Sequence, residues 1–209
     1  MIINIRGTSG SGKTHLVRKL IATSTNDHIL LDGRRKTMAH MLMLDDIIPV
    51  FLIGSYANVC GGCDTIRTQS EVCSRVRHFS QFGHVVFEGL VLSHILSRYA
   101  ALDKELSDQG ERYIWAYLNT SLETCLENVQ NRRTKRGDDR EFNPKNTIDK
   151  HMSTIKCMEK TQDAGLEVVV LDYYGDPLSQ LLELLFQPDR FFNFQDNYRE
   201  ESFRGGSRG

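Results

Sequence analysis

Gly7-Thr8-Ser9-Gly10-Ser11-Gly12-Lys13-Thr14 is the stretch on which the fold turns. It matches the pattern G-x-x-x-x-G-K-[ST] and sits between a short apolar run, Ile2 to Arg6, and a helical one, Lys13 to Thr23. In the second run Leu16, Val17, Leu20 and Ile21 fall on one face. Strand, glycine loop and helix in that order let backbone N–H groups converge on a triphosphate while the helix points its positive end at the same oxygens. Gly7, Thr8, Ser9, Gly10, Ser11, Gly12, Lys13 and Thr14 are therefore the expected donor-nucleotide site. Lys13 is expected at the β- and γ-phosphates, and Thr14 at Mg²⁺.

Working outward, apolar runs at His28 to Asp32, Val50 to Gly54, His84 to Glu88, Tyr113 to Asn119 and Glu167 to Asp172 read as further strands. Thr68 to Gln81, Val91 to Ser107, a stretch capped by Thr120 or Ser121 and running through Val129, and Ile148 to Ala164 read as helices between them. Such alternation predicts an α/β, three-layer fold of the P-loop NTPase type, a mostly parallel five-stranded sheet flanked by helices. One domain is expected over 1–188. The remainder, 189–209, mixes aromatic residues with Arg and Gly and is expected to be flexible or to dock elsewhere.

Composition narrows the function classes. At 40% hydrophobic and 25% charged residues the chain is neither disordered nor fibrous, and no apolar run approaches the ~20 residues that span a bilayer. A net charge of −1 means that any nucleic-acid contact must come from a local patch. Five cysteines with no secretory signal point to a reducing cytosol. No Asn-Lys-x-Asp sequence is present, which argues against a GTPase, and the chain is short for a motor. A compact kinase remains, and it needs an acceptor side.

Four features supply candidates. Asp32 ends an apolar run with Arg35 three residues on, so a strand-end carboxylate would take the acceptor's proton. Glu88 ends Val85-Val86-Phe87, where a carboxylate holds Mg²⁺ or acts as the base instead. Asn131-Arg132-Arg133-Thr134-Lys135-Arg136-Gly137 is placed as an arginine lid that neutralises charge on the transferred phosphoryl group. Finally, Gly54 to Ile66 contains Cys60-Gly61-Gly62-Cys63-Asp64, open to readings as a zinc pair, a redox couple or a packed turn. As a ligand-facing loop it offers Tyr56 to stack on a base and Asp64 to bind a polar group.

The phosphate loop followed by Asp32-Gly33-Arg34-Arg35 resembles the phage polynucleotide 5′-kinase family. That resemblance implies Asp32 as general base, Arg35 on acceptor phosphate, and Arg136 with Arg132 on donor phosphates. Taken together, GTSGSGKT, DGRR, GSYxxxCGGCDT, the FEGL run and RRTKRG resemble phage P-loop kinases that act on 5-hydroxymethyl-deoxyuridine in DNA. The likeness covers about residues 1 to 165. It implies ATP and Mg²⁺, DNA containing 5-hydroxymethyluracil as substrate, a step in thymidine hypermodification, and the host cytoplasm. A polynucleotide 5′-hydroxyl or nucleoside kinase, and an ATP-dependent binding module or switch, stay open as alternatives.

Overall fold

Every residue of β1 (Ile2–Arg6) is buried, which places it at the centre of a sheet covered on both faces. The structure, a computed structural model, describes residues 1–24, 27–44, 48–58, 60–138 and 140–186. The expected tail, 189–209, lies outside the described residues. β1 is flanked by β5 (His84–Glu88) and β6 (Tyr113–Leu118), and all three run parallel. With β4 (Pro49–Ile53) and β7 (Val168–Leu171) they form the parallel five-stranded unit expected from the sequence.

Two more strands extend it. β2 (Asp27–Leu31) and β3 (Thr37–Met43) form a hairpin paired antiparallel onto β4, giving the order β2-β3-β4-β5-β1-β6-β7. β3 was not expected, and the strand expected at His28 to Asp32 is an edge strand one residue earlier rather than a neighbour of the phosphate loop. Asp32 starts a turn instead: its Oδ1 accepts from the amides of Arg34 and Lys36, both at 2.8 Å. Arg35, at φ 58°, is the one non-glycine in the left-handed region among the described residues, a conformation that costs an ordinary residue about 1–2 kcal/mol.

Helices cover the two faces. α1 (Lys13–Thr23) and α6 (Pro177–Phe186) close a core containing Ile3, Ile5, Leu16, Leu20, Val86 and Leu181. On the other face α2 (Gln69–Ser80), α3 (Ser97–Ser107) and α5 (Lys145–Asp163) meet Ile2, Phe87, Tyr113 and Trp115. α6, whose Leu181, Leu184 and Leu185 are buried, was not expected from the sequence.

The expected helix at Val91 to Ser107 is split into a short 3-10 turn, Leu92–His94, and α3. The physical reason is Arg6. Its Nη2 donates to the Ile95 carbonyl at 3.1 Å, occupying an acceptor that a continuous helix would use. Arg6 is fully buried with its guanidinium 4.0 Å above the Trp115 ring, so the break is fixed from within the core. α4 (Leu122–Thr134) is capped by Ser121, whose Oγ accepts from the Thr124 amide, and runs five residues beyond Val129. Arg132 and Arg133 of the expected lid therefore lie in its last turn. No helix among the described residues is long and apolar enough to cross a membrane.

Candidate active site

The phosphate loop leaves the C-terminal end of β1, the central strand, where parallel sheets of this order place their ligands. Its carbonyls are held by side chains. Lys13 Nζ donates to Gly7 O at 2.7 Å and Thr8 O at 2.9 Å, Asn128 Nδ2 to Gly10 O at 2.9 Å, and Thr120 Oγ1 to Ser11 O at 2.8 Å. With these carbonyls engaged, the loop's capacity toward an anion lies in its N–H groups. Gly12 opens α1 at φ 93°, and a Cβ there would lie 2.9 Å from the Tyr173 ring, so the residue is set both by backbone and by space.

Beside the loop is a cleft of about 520 Å³, whose lining includes Lys13, Thr14, Asp64, Glu88, Arg132 and Tyr173. Glu88 ends β5 opposite Ile5 of β1, and its Oε1 accepts from Thr14 Oγ1 at 2.9 Å. Burial pushes the Glu88 carboxyl up to about 7, with Asp64 adding to the rise, while Lys13 and the Thr14 hydrogen bond pull the other way. Burial also lowers the pKa of Lys13, against the pull of Glu88 and Asp64.

The Cys-Gly segment forms part of this site. Gly62 O accepts from Thr65 Oγ1 at 2.7 Å, and an isolated bridge joins Ser55 to Gly62, folding the segment back on itself. A Cβ on Gly62 (φ 63°) would come within 2.7 Å of both the carbonyl and Oε1 of Glu88, so the backbone lies against that carboxylate. Asp64 lies two residues on, and its two carboxylate oxygens accept from the Leu90 amide at 2.9 and 3.1 Å. Gly62→Ala is expected to destabilise the protein by about 2 kcal/mol or more, from left-handed strain plus the clash, read as a lower urea midpoint.

The cysteines settle into different roles. Cys63 is buried with its thiol raised well above the ordinary value by burial, which suits a small core residue and not a reactive thiol. Cys60 is exposed and accepts from Arg136 Nη2 at 3.7 Å, so the lid arginine meets the Cys-Gly loop across the cleft mouth. All five cysteines are free, and the described residues hold no cluster of three or more His, Cys, Asp or Glu able to bind a metal. Arg132 Nη2 reaches Ser9 Oγ at 3.4 Å.

Of the residues singled out from sequence, the structure gathers Gly7 to Thr14, Asp64, Glu88 and Arg132 at one place, with Arg136 at its rim. Asp32, Arg35 and Tyr56 are not among them. Asp32 and Arg35 belong to the β2–β3 turn, four strands and about 19 Å from β1 across the sheet. The amides of Lys36, and then of Arg34, hold the Asp32 carboxyl below its ordinary value, which weakens it as a base. Tyr56 is 5% exposed, its ring 5.6 Å from that of His40, so it is core and cannot stack on an incoming base.

Three cleft residues had not been identified. Arg18 lies one turn after Thr14 on α1 and donates to Tyr56 O, a placement the i, i+4 spacing could have revealed. Tyr173 follows the end of β7, a position that parallel sheets use for ligands. Asn128 sits mid-helix in α4 and carried no local signal; it touches both Gly10 O and Tyr173 Oη.

Comparison with known proteins places the chain. No protein-family model matches it. It is 36% identical over 187 residues to the 5-hmdU DNA kinase of Pseudomonas phage PaMx11, covering 87% of this chain and 97% of that one. It is 29% identical over 179 residues to the 5-hmdU DNA kinase of Pseudomonas phage M6, covering 78% and 86%. Among solved structures, a deoxyadenosine kinase from M. mycoides with bound dATP aligns with a TM-score of 0.46 at 11% identity, over 88% of this chain and 99% of the other. Thus the chain belongs to the phage 5-hmdU DNA kinase family.

Proposed function

We propose that this kinase transfers the γ-phosphoryl group of ATP to the hydroxymethyl oxygen of 5-hydroxymethyluracil in DNA. The observation that carries the reading is the carboxylate pair at the phosphate loop, in a chain 36% identical to a 5-hmdU DNA kinase: a buried Glu88 bonded to Thr14, and an exposed Asp64 beside it. The two carboxylates divide the work by environment. Asp64, open to the cleft, takes the proton of the acceptor hydroxyl. Glu88 and Thr14 present a carboxylate and a hydroxyl oxygen 2.9 Å apart, hard donors of the number that Mg²⁺ takes from protein in phosphoryl-transfer sites. When bound there, the ion would supply positive charge to the phosphate oxygens.

The remaining residues handle the donor. Lys13 balances the β- and γ-phosphates, and its burial strengthens that attraction by excluding water. Arg132, and Arg136 from the rim, offset charge that grows on the transferred group. Tyr173 and Asn128, which touch each other in the cleft lining, form the wall for the nucleoside. A base paired in a duplex has its hydroxymethyl group in the major groove, so aligning that oxygen with the γ-phosphate requires the nucleotide to be extruded.

The reading is tested with γ-labelled ATP and three acceptors: 5-hydroxymethyluracil DNA with blocked 5′ ends, unmodified DNA with free 5′-hydroxyls, and free nucleosides. Label in the first alone is the expected result. Label confined to 5′ ends or nucleosides supports the alternative kinases, and ATP hydrolysis without transfer supports a switch.

A further inference from the structure

The β2–β3 hairpin has no part in the cleft, yet its turn is built in an unusual way. Asp32-Gly33-Arg34-Arg35-Lys36 closes with the Arg35 amide on Asp32 O and the Asp32 amide on Lys36 O, both at 2.8 Å. A turn of this kind puts one residue in the left-handed region, where glycine is the unstrained choice. Here that residue is Arg35, at φ 58°, while the turn's glycine stands two positions earlier. Strain retained at a position that glycine would relieve points to a use for the side chain.

The surroundings define that use. Arg34, Arg35 and Lys36 are all exposed and make no ion pair among the described residues. Asp32, the acid beside them, is committed to the Arg34 and Lys36 amides. Three cations thus converge on one tip of a chain whose net charge is −1. β2 runs parallel to β4, β5 and β1, so the tip projects from the same sheet edge as the phosphate loop. It is also held in place. Arg75, buried in α2, donates to Thr37 O and Met38 O at 3.0 Å, and Met38 O also accepts from the amide of Gly54, which opens the segment carrying Asp64.

We propose that Arg34, Arg35 and Lys36 form a DNA-backbone contact, separate from the transfer site, that grips phosphates flanking the modified nucleotide. The proposal rests on the DNA substrate given under Proposed function. Three to four strand spacings separate the tip from β5 and β1, about 14–19 Å, which is about four to six nucleotide steps along a strand. Guanidinium pairs suit phosphate oxygens through bidentate hydrogen bonds, and such contacts position the DNA without reading its sequence.

The full-length chain and its R34A/R35A/K36A variant are titrated by fluorescence anisotropy with an unmodified duplex of about 24 base pairs, and with a fluorescent ATP analogue that reports on the transfer site. For the duplex, Kd should rise about tenfold or more and the slope of log Kd against log salt should fall by about 2 to 3. For the ATP analogue the two proteins should give the same Kd. Arg35→Gly serves as a second variant: its melting temperature should be equal or higher, because the strain is gone, while its duplex Kd still rises. An unchanged duplex Kd and salt slope in the triple variant, or an equal loss of affinity for the ATP analogue, overturns the proposal. The readout is binding, so a wild-type protein that grips DNA through the tip but transfers no phosphoryl group would overturn the proposed function and leave this contact standing.

Discussion

Asp64→Asn is expected to lower kcat for phosphoryl transfer by about 10²- to 10⁴-fold, the usual worth of a positioned general base. Binding of ATP should hold, because the substitution removes the proton acceptor and keeps an oxygen for the Leu90 amide that both carboxylate oxygens now contact. Equal losses in kcat and kcat/KM for DNA would mark an interaction made in the transition state. Asp32→Asn acts on the hairpin turn, where Oδ1 holds two amides, and its loss in kcat should be smaller than that at Asp64 by at least about tenfold. An unaltered kcat in Asp64→Asn would move the proton to Glu88.

Glu88→Gln should act in two opposite directions at once. The carboxyl is 1% exposed, and its pKa of about 7 in the fold stands above the ordinary 4.5 expected once unfolded. Below 4.5 both states hold the proton and Glu88 has no effect on stability. Between 4.5 and 7 the unfolded chain releases the proton while the folded one keeps it, so the native state loses ground as pH rises; above 7 the penalty is constant. Gln removes the penalty and keeps an acceptor for Thr14. In metal-free buffer at pH 8 the variant should be more stable by on the order of 3 kcal/mol, and the gain should vanish by pH 4.

Transfer moves the other way. Without the carboxylate the metal-holding pair is reduced to Thr14, and activity should fall by at least about 10²-fold at saturating ATP. Urea denaturation across pH and a transfer assay on the same preparation check both halves. A variant no more stable than wild type at pH 8 would mean that Glu88 is not burdened by burial as described.

What the sequence made legible was local. The strand, loop and helix around Gly7 to Thr14 are contiguous, and their spacing places β1 and α1 at the residues where the structure has them. Glu88 was found because a carboxylate closing an apolar run marks a strand end whatever lies next to it.

Asp32 shows where that rule fails. An apolar run ending in Asp looks the same whether the chain goes on to a helix or turns back, and the Asp-Gly dipeptide that favours a hairpin was read as half of an Asp-x-x-Arg pair. β3, Thr37–Met43, alternates too weakly in hydrophobicity to announce itself. Tyr56 was misplaced because its aromatic ring serves a core as well as it serves a ligand. Asn128 lay beyond local reasoning altogether, since its contact with Gly10 spans 118 positions of chain and exists only after α4 packs beside the loop.

The position of the new phosphate tests the account most directly. After reaction with ATP and magnesium, a short oligonucleotide containing 5-hydroxymethyluracil is left undigested, and its new phosphomonoester is located by its phosphorus–proton coupling in NMR. Coupling to the methylene protons on the uracil ring is the predicted result; phosphorus coupled to a sugar 5′ methylene, or present only as inorganic phosphate, would contradict it.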